Sequence, residues 1–329
     1  MSENKKCLLT GATGHVGYAV LMELLSQGRD TTILLRKKNR LFDGLDCGVA
    51  YGDVTDPAAL ENAFRGMDTV YHVAGAVEIN KGHEDHTWLV NYEGTKNVLR
   101  ACKACGVRRL VYMSSIDALK PLPGNELMRE QTRFDPDELT GTYAKSKAAA
   151  TQYLLDEHGE VELVVLHPTA CTGPYDFKGS SFGEGLKMFM SGKFPITMSF
   201  GAYNFVDVRD VAKATVAAAD KGRNGECYIL SGEFVTVDGF VRIVNEIMGF
   251  GAPKFALTDG LMRVVAPVME LYYNISGATP LFTRYTVKKL KDNCNFSHEK
   301  ATAELGYEPM GARESIADTI AWMKEHEKK

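Results

Sequence analysis

Tyr143 and Lys147 stand four residues apart in "TGTYAKSKAAATQY" (140–153), a stretch made mostly of small residues. On a helix this spacing places both side chains on one face, one above the other. A phenol titrates near pH ~10 in isolation and is too weak an acid to serve near neutrality. A fixed ammonium beside it favours the phenolate and draws that value toward the working range, so the pair could transfer a proton. The same spacing would equally suit a core tyrosine and a solvated lysine. The elements that carry the two residues have to decide.

The first half of the chain alternates short apolar runs with helical patterns. "KCLLTG" (6–11), "TTILLR" (31–36), "GVAYGD" (48–53), "DTVYHVAG" (68–75), "RRLVYMSS" (108–115) and "VELVVLHP" (161–168) read as buried strands. Helical patterns cover 17–28, 56–66, 91–106 and 142–159, the second opened by Asp56 and Pro57 and closed by Gly66. Such alternation makes βαβ units, hence a Rossmann-type doubly wound α/β fold whose parallel sheet binds ligands at the carboxyl ends of its strands. After Pro168 the rhythm breaks. Residues 1–170 with 205–235 read as a nucleotide-binding domain, and 171–204 with 236–329 as a smaller C-terminal substrate-binding lobe.

Composition narrows the function classes. The 329 residues are 45% hydrophobic and 24% charged with a net charge of −4, an ordinary globular balance with no basic block to attract nucleic acid. Seven scattered cysteines, Cys102 and Cys105 among them, read as reduced thiols, and the eight histidines form no metal-ligand pattern. The opening "MSENKKCLLTGATG" has no apolar targeting segment, which fits a cytoplasmic protein. The apolar stretch 261–275 is interrupted by Arg263, Pro267 and Glu270 and is too short for stable membrane insertion. With 277–285 it could line a greasy pocket or simply pack as core.

"TGATGHVG" (10–17) lies between the first strand and the first helix. There Gly11 permits the turn, Gly14 lets backbone approach a pyrophosphate, and Gly17 lets helix pack on strand. Thr13, His15 and Val16 belong to the same dinucleotide loop, His15 fitting loop packing better than catalysis. Arg36, Lys37 and Lys38 follow the second strand, where the adenosine ribose would lie. A guanidinium there suits a 2′-phosphate and favours NADP(H) over NAD(H), although "RKKNR" would also suit a solvated cluster. Asp53, followed by Val54, could accept from the adenine amino group, and Ala74 in "HVAG" keeps backbone close to the cofactor. Ser114 and Ser115 reach the same crevice. A hydroxyl from either could hold a substrate oxygen or merely cap the next turn.

"TGATGHVG", "GDVTD", "HVAG", "VNYEGTKNVLRAC", "VYMSS", "YAKSK", "HPTACTGP" and "FVDVRDVA" occur in an order and spacing that resembles the extended short-chain dehydrogenase/reductase family over nearly the whole chain. Arg36, "YILSGEFVTVDGFVRIV" and "FSHEKATAELGYEP" look most like its dihydroflavonol reductase and 3β-hydroxysteroid dehydrogenase branch. The resemblance implies Ser115, Tyr143 and Lys147 as the catalytic triad, with Tyr143, Lys147, Pro168, Thr169 and Ala170 also contacting cofactor. It implies a homodimer through the helices at 91–105 and 142–158. Asn91 could hold a helix kink or a water near the lysine, with helix packing the favoured role. Many members carry arginine where this chain has His167, which weakens a sugar-nucleotide reading. The expected activity is an NADPH-dependent interconversion of a ketone or aldehyde and an alcohol on a hydrophobic small molecule, steroid- or flavonoid-like. The alternatives are a sugar-nucleotide epimerase or dehydratase with tightly held NAD, and a non-catalytic NADP(H)-sensing protein.

Overall fold

The structure is a computed structural model that describes residues 6–77, 84–192, 196–276, 287–288 and 290–326. Its main sheet contains β1 (Cys7–Thr10), β2 (Thr31–Leu35), β3 (Gly48–Tyr51), β4 (Thr69–His72), β5 (Arg109–Met113), β6 (Glu162–Pro168) and, from further along the chain, β10 (Glu226–Leu230). The strands are all parallel, in the order β10-β6-β5-β4-β1-β2-β3. The chain winds outward from β1 to β3, then returns to β4 and winds the other way. That reversal between β1 and β4 opens a crevice at the carboxyl ends of the strands. Six of the seven strands are the apolar runs read from the sequence; the seventh is "ECYIL".

Helices α1 (His15–Ser26) and, later, α7 (Val208–Lys221) cover one face of the sheet. Helices α2 (Pro57–Phe64), α4 (Gly94–Cys105) and α5 (Thr142–Glu157) cover the other. Local chemistry sets their ends. Asp56 accepts from the N–H groups of Ala58 and Ala59 ahead of Pro57, and left-handed Gly106 closes α4. The expected helix from 91 has a different start: α3 (Glu84–Trp88) leads through a π-helical turn at Leu89–Glu93 into α4.

Beyond Pro168 lie two smaller sheets. One joins β7 (Ala170–Thr172), β9 (Ala202–Asp207) and β11 (Glu233–Thr236); the other pairs β8 (Ile196–Met198) with β12 (Phe255–Leu257). Helices α6 (Ser181–Met190), α8 (Val237–Met248) and α11 (Ala312–His326) pack on them through Leu186, Phe240, Ile316 and Ile320. Helix α9 (Asp259–Ser276) buries Met262 and Ala266 but exposes Leu261, Val264 and Val268, so it is neither plain core nor a wholly solvated helix. The stretch 277–285 lies outside the described residues. Helix α10 (Glu299–Leu305) packs against β10 and α7.

Candidate active site

The glycine loop is shaped by contacts that only glycine permits. Gly11 has φ +80°, and a Cβ on it would lie 2.5 Å from the Ala74 nitrogen. A Cβ on Gly17 would lie 2.0 Å from the Gly11 carbonyl oxygen. Gly14 differs: its Cβ would meet nothing closer than that same oxygen at 3.4 Å, so the space beside it is open. Helix α1 starts there with no side-chain cap and no acidic residue in its first turn. The first N–H groups are thus left for an anion, and these residues fit a dinucleotide pyrophosphate.

Under this loop a hydrogen-bonded relay fixes the ends of β1 and β4. Thr95 donates to the Asn91 carbonyl (2.6 Å), so its hydroxyl oxygen accepts from His72 Nε2 (3.0 Å). His72 Nδ1 then accepts from the Thr10 hydroxyl (2.8 Å), which itself accepts from the Ala74 N–H (3.2 Å). Burial holds His72 neutral, its pKa drawn down to about 3. A proton on Nδ1 would also oppose the Thr10 donor.

Lys147 projects from α5 into the crevice and is only 4% exposed. Its Nζ donates to the Met113 carbonyl at the end of β5 (2.7 Å) and lies 4.9 Å from the centre of the Tyr112 ring. Burial lowers its pKa to about 7. A Cβ on Gly75 would come within 3.3 Å of this nitrogen and of Asn91 Oδ1, so the chain after β4 passes close to both side chains. Tyr143 lies one helical turn before Lys147 and is partly buried.

The two serines have separate duties. Ser114 donates to the Thr151 hydroxyl (2.8 Å), which donates to the Lys147 carbonyl (2.8 Å), so Ser114 is committed to seating α5. The Ser115 hydroxyl oxygen accepts from the Asp117 N–H (3.2 Å), a contact that leaves its own proton available to a substrate oxygen. His167 donates from Nδ1 to the Ser115 carbonyl (2.9 Å) and stacks on Phe134. Its Nε2 is buried without a partner among the described residues, and burial draws its pKa down to about 4.

Asn91 is not a packing residue. It is fully buried in the π-helical turn. Its Oδ1 accepts from the Ala76 N–H (2.8 Å), while Nδ2 donates to the Ala76 carbonyl and to Ser146 Oγ (both 3.0 Å). Ser146 in turn donates to the Tyr143 carbonyl (2.9 Å). Asn91 therefore ties the chain after β4 to the first turn of α5. A wide turn at a buried polar residue is the form such helical irregularities take at functional sites.

The other expected contacts are distributed along the same edge. Arg36 is exposed just beyond β2. Asp53 accepts from the Thr55 N–H and hydroxyl through one carboxylate oxygen. Val54 turns its side chain into the core against Gly94 and accepts from Asn97 at its carbonyl, so its side chain is not presented to the crevice. Pro168 closes β6 and Ala170 opens β7; Thr169 between them donates to Asn204 (3.0 Å) and faces β9. Thr13 accepts from Lys178, His15 donates to the Pro174 carbonyl (2.8 Å), and Val16 packs into the core. His72, Ser146 and Lys178 gave no signal in the sequence because their partners lie far along the chain, whereas Asn91 and the departure at His167 could be singled out there.

The sequence profile of the NAD dependent epimerase/dehydratase family matches residues 7–231. "Sterol demethylase protein B" of Methylococcus capsulatus is 30% identical over 97% of this chain and 98% of its own. A "putative dihydroflavonol 4-reductase" of Synechocystis sp. is 28% identical over 97% and 94%. The crystal structure of gox2253 superposes with a TM-score of 0.84 at 31% identity, covering 98% of both chains. With a parallel seven-stranded sheet, a glycine loop at its switch point and matching relatives over its full span, the chain belongs to the NAD dependent epimerase/dehydratase family of extended short-chain dehydrogenase/reductases and is an NAD(P)-dependent enzyme.

Proposed function

We propose that the protein is an NADPH-dependent reductase, equivalently an alcohol dehydrogenase, acting on a carbonyl of a hydrophobic small molecule. One observation carries this reading. The buried Lys147 amine, one helical turn from Tyr143, is anchored to the end of the strand that leads into Ser115, beside the glycine loop. When bound, the nicotinamide supplies the hydride. Ser115 donates its hydroxyl proton to the substrate oxygen and holds it in place. Tyr143 gives that oxygen a proton as negative charge develops, and the positive charge of Lys147 stabilises the phenolate left behind. Lys147 keeps further N–H donors for ribose hydroxyls. His167 fixes the Ser115 backbone, and Asn91 with Ser146 fixes that of Tyr143.

Arg36 supports NADP(H), since a guanidinium pairs with a 2′-phosphate. The names of the sterol and dihydroflavonol relatives support a fused-ring or otherwise apolar substrate. A homodimer across α4 and α5 belongs to the same reading. Leu89, in the π-helical turn that leads into α4, is 46% exposed, and Tyr92 and Tyr153 form a half-buried aromatic pair beneath Lys96. The test is nicotinamide absorbance during incubation of the protein and NADPH with steroid ketones, flavonoids, small aldehydes and nucleotide sugars. Oxidation of NADPH with an apolar ketone supports the assignment. Turnover of nucleotide sugars alone overturns it.

A further inference from the structure

The loop from Gly173 to Ser180 crosses from the second lobe onto the glycine loop, and several contacts fix it there. His15 Nε2 donates to the Pro174 carbonyl (2.8 Å). Tyr18 of α1 packs against Tyr175 and Phe177, with ring centres 5.2 and 5.0 Å away. Phe177 packs in turn on Trp322 of α11. Tyr175 has φ +82°, a left-handed conformation that no other non-glycine residue adopts among the described residues. A strained residue kept in place by surrounding contacts marks a loop whose path matters.

The loop ends by presenting Lys178, whose Nζ donates to the Thr13 hydroxyl (3.0 Å) inside the glycine loop. Strand register brings a second cation to the same place. Thr10 pairs with Leu34, so Arg36 leaves β2 level with the start of the glycine loop. Arg36 is close enough to oppose protonation of Lys178, adding to the effect of burial. Neither cation has an ion-pair partner among the described residues; nearby Asp176 is bonded to the Ser180 N–H and Glu184 to Lys187. Two like charges at one edge of the crevice without a counter-ion repel one another and attract a multivalent anion.

We infer that Lys178, delivered by the 173–180 loop, is a second cation for the adenosine 2′-phosphate and sets cofactor preference together with Arg36 and the Thr13 hydroxyl. The inference rests on the NADP(H) reading above. Calorimetric titration of the full-length protein with NADPH, NADH and adenosine 2′,5′-bisphosphate tests it without reference to turnover. Lys178→Met should weaken NADPH and the bisphosphate about 10- to 100-fold, as expected for losing one charge-assisted hydrogen bond, and leave NADH unchanged. Lys178→Arg should retain most of the preference. Equal losses for NADPH and NADH would place the amine on the pyrophosphate or in a purely structural role, and unchanged NADPH affinity would remove it from the site. Either result overturns the inference and leaves Arg36 standing. Wild-type protein that binds NADPH and NADH alike, and ignores the bisphosphate, would overturn the NADP(H) reading itself.

Discussion

At the residue scale, Lys147 is a cation held out of water. It is 4% exposed and its pKa is lowered to about 7 by burial. In the unfolded chain a lysine titrates near ~10.4, so between these values the unfolded state binds the extra proton. Stability therefore rises with pH across that window. Below about pH 7 the native protein bears the full cost of a buried ammonium, on the order of a few kcal/mol. Lys147→Met should accordingly melt above wild type at pH 6, and the difference should shrink toward pH 10. A pH-independent difference between the two melting curves would contradict the burial argument. Tyr143, Lys147 and Ser115 stand out in the sequence through the family resemblance, since the four-residue spacing alone would also suit a core tyrosine and a solvated lysine. His72 does not, since its role comes from Thr10 and Thr95 on other elements, and Asn91 could be singled out only without its partners Ala76 and Ser146.

At the element scale, six of the seven strands of the main sheet were readable because they are short apolar runs, most of them closed by glycine, proline or serine. The start of α4 was not. Its sequence has helical periodicity, but the π-helical turn at Leu89–Glu93 exists to bring Asn91 to Ala76, and periodicity carries no trace of a tertiary hydrogen bond. Asn91→Leu keeps the volume and leaves the Ala76 N–H and carbonyl unsatisfied. We expect a loss of about 2–5 kcal/mol in urea denaturation, together with weaker cofactor binding as the chain after β4 and the first turn of α5 separate. Wild-type stability in this variant would show that the clamp is dispensable. Thr169 illustrates the converse limit: its place after β6 is plain from the sequence, but the direction of its side chain toward Asn204 depends on β9.

At the scale of the whole molecule, the chain beyond Pro168 was the least readable part. Its small sheets assemble from strands of three to six residues, too short to show a period. Helix α9 shows why its apolar stretch resisted assignment: Met262 and Ala266 face inward while Leu261, Val264 and Val268 face out. No helix among the described residues is long and apolar enough to cross a membrane. The proposed dimer predicts twice the chain mass in light scattering at micromolar concentration. Leu89→Lys should shift it toward monomer by placing paired charges across the two-fold axis. Wild-type monomers at that concentration would contradict the dimer.

The central claim is that Tyr143 moves the proton, and single-turnover stopped-flow on folded Tyr143→Phe protein tests it most directly. With NADPH and a ketone substrate found in the screen, hydride transfer should slow by roughly 10²–10⁴-fold, the usual consequence of losing a general acid, while NADPH affinity and melting temperature stay near wild type. A structural tyrosine would show the reverse pattern, a lower melting temperature with an unchanged rate per folded molecule. Wild-type hydride transfer in Tyr143→Phe would contradict the mechanism.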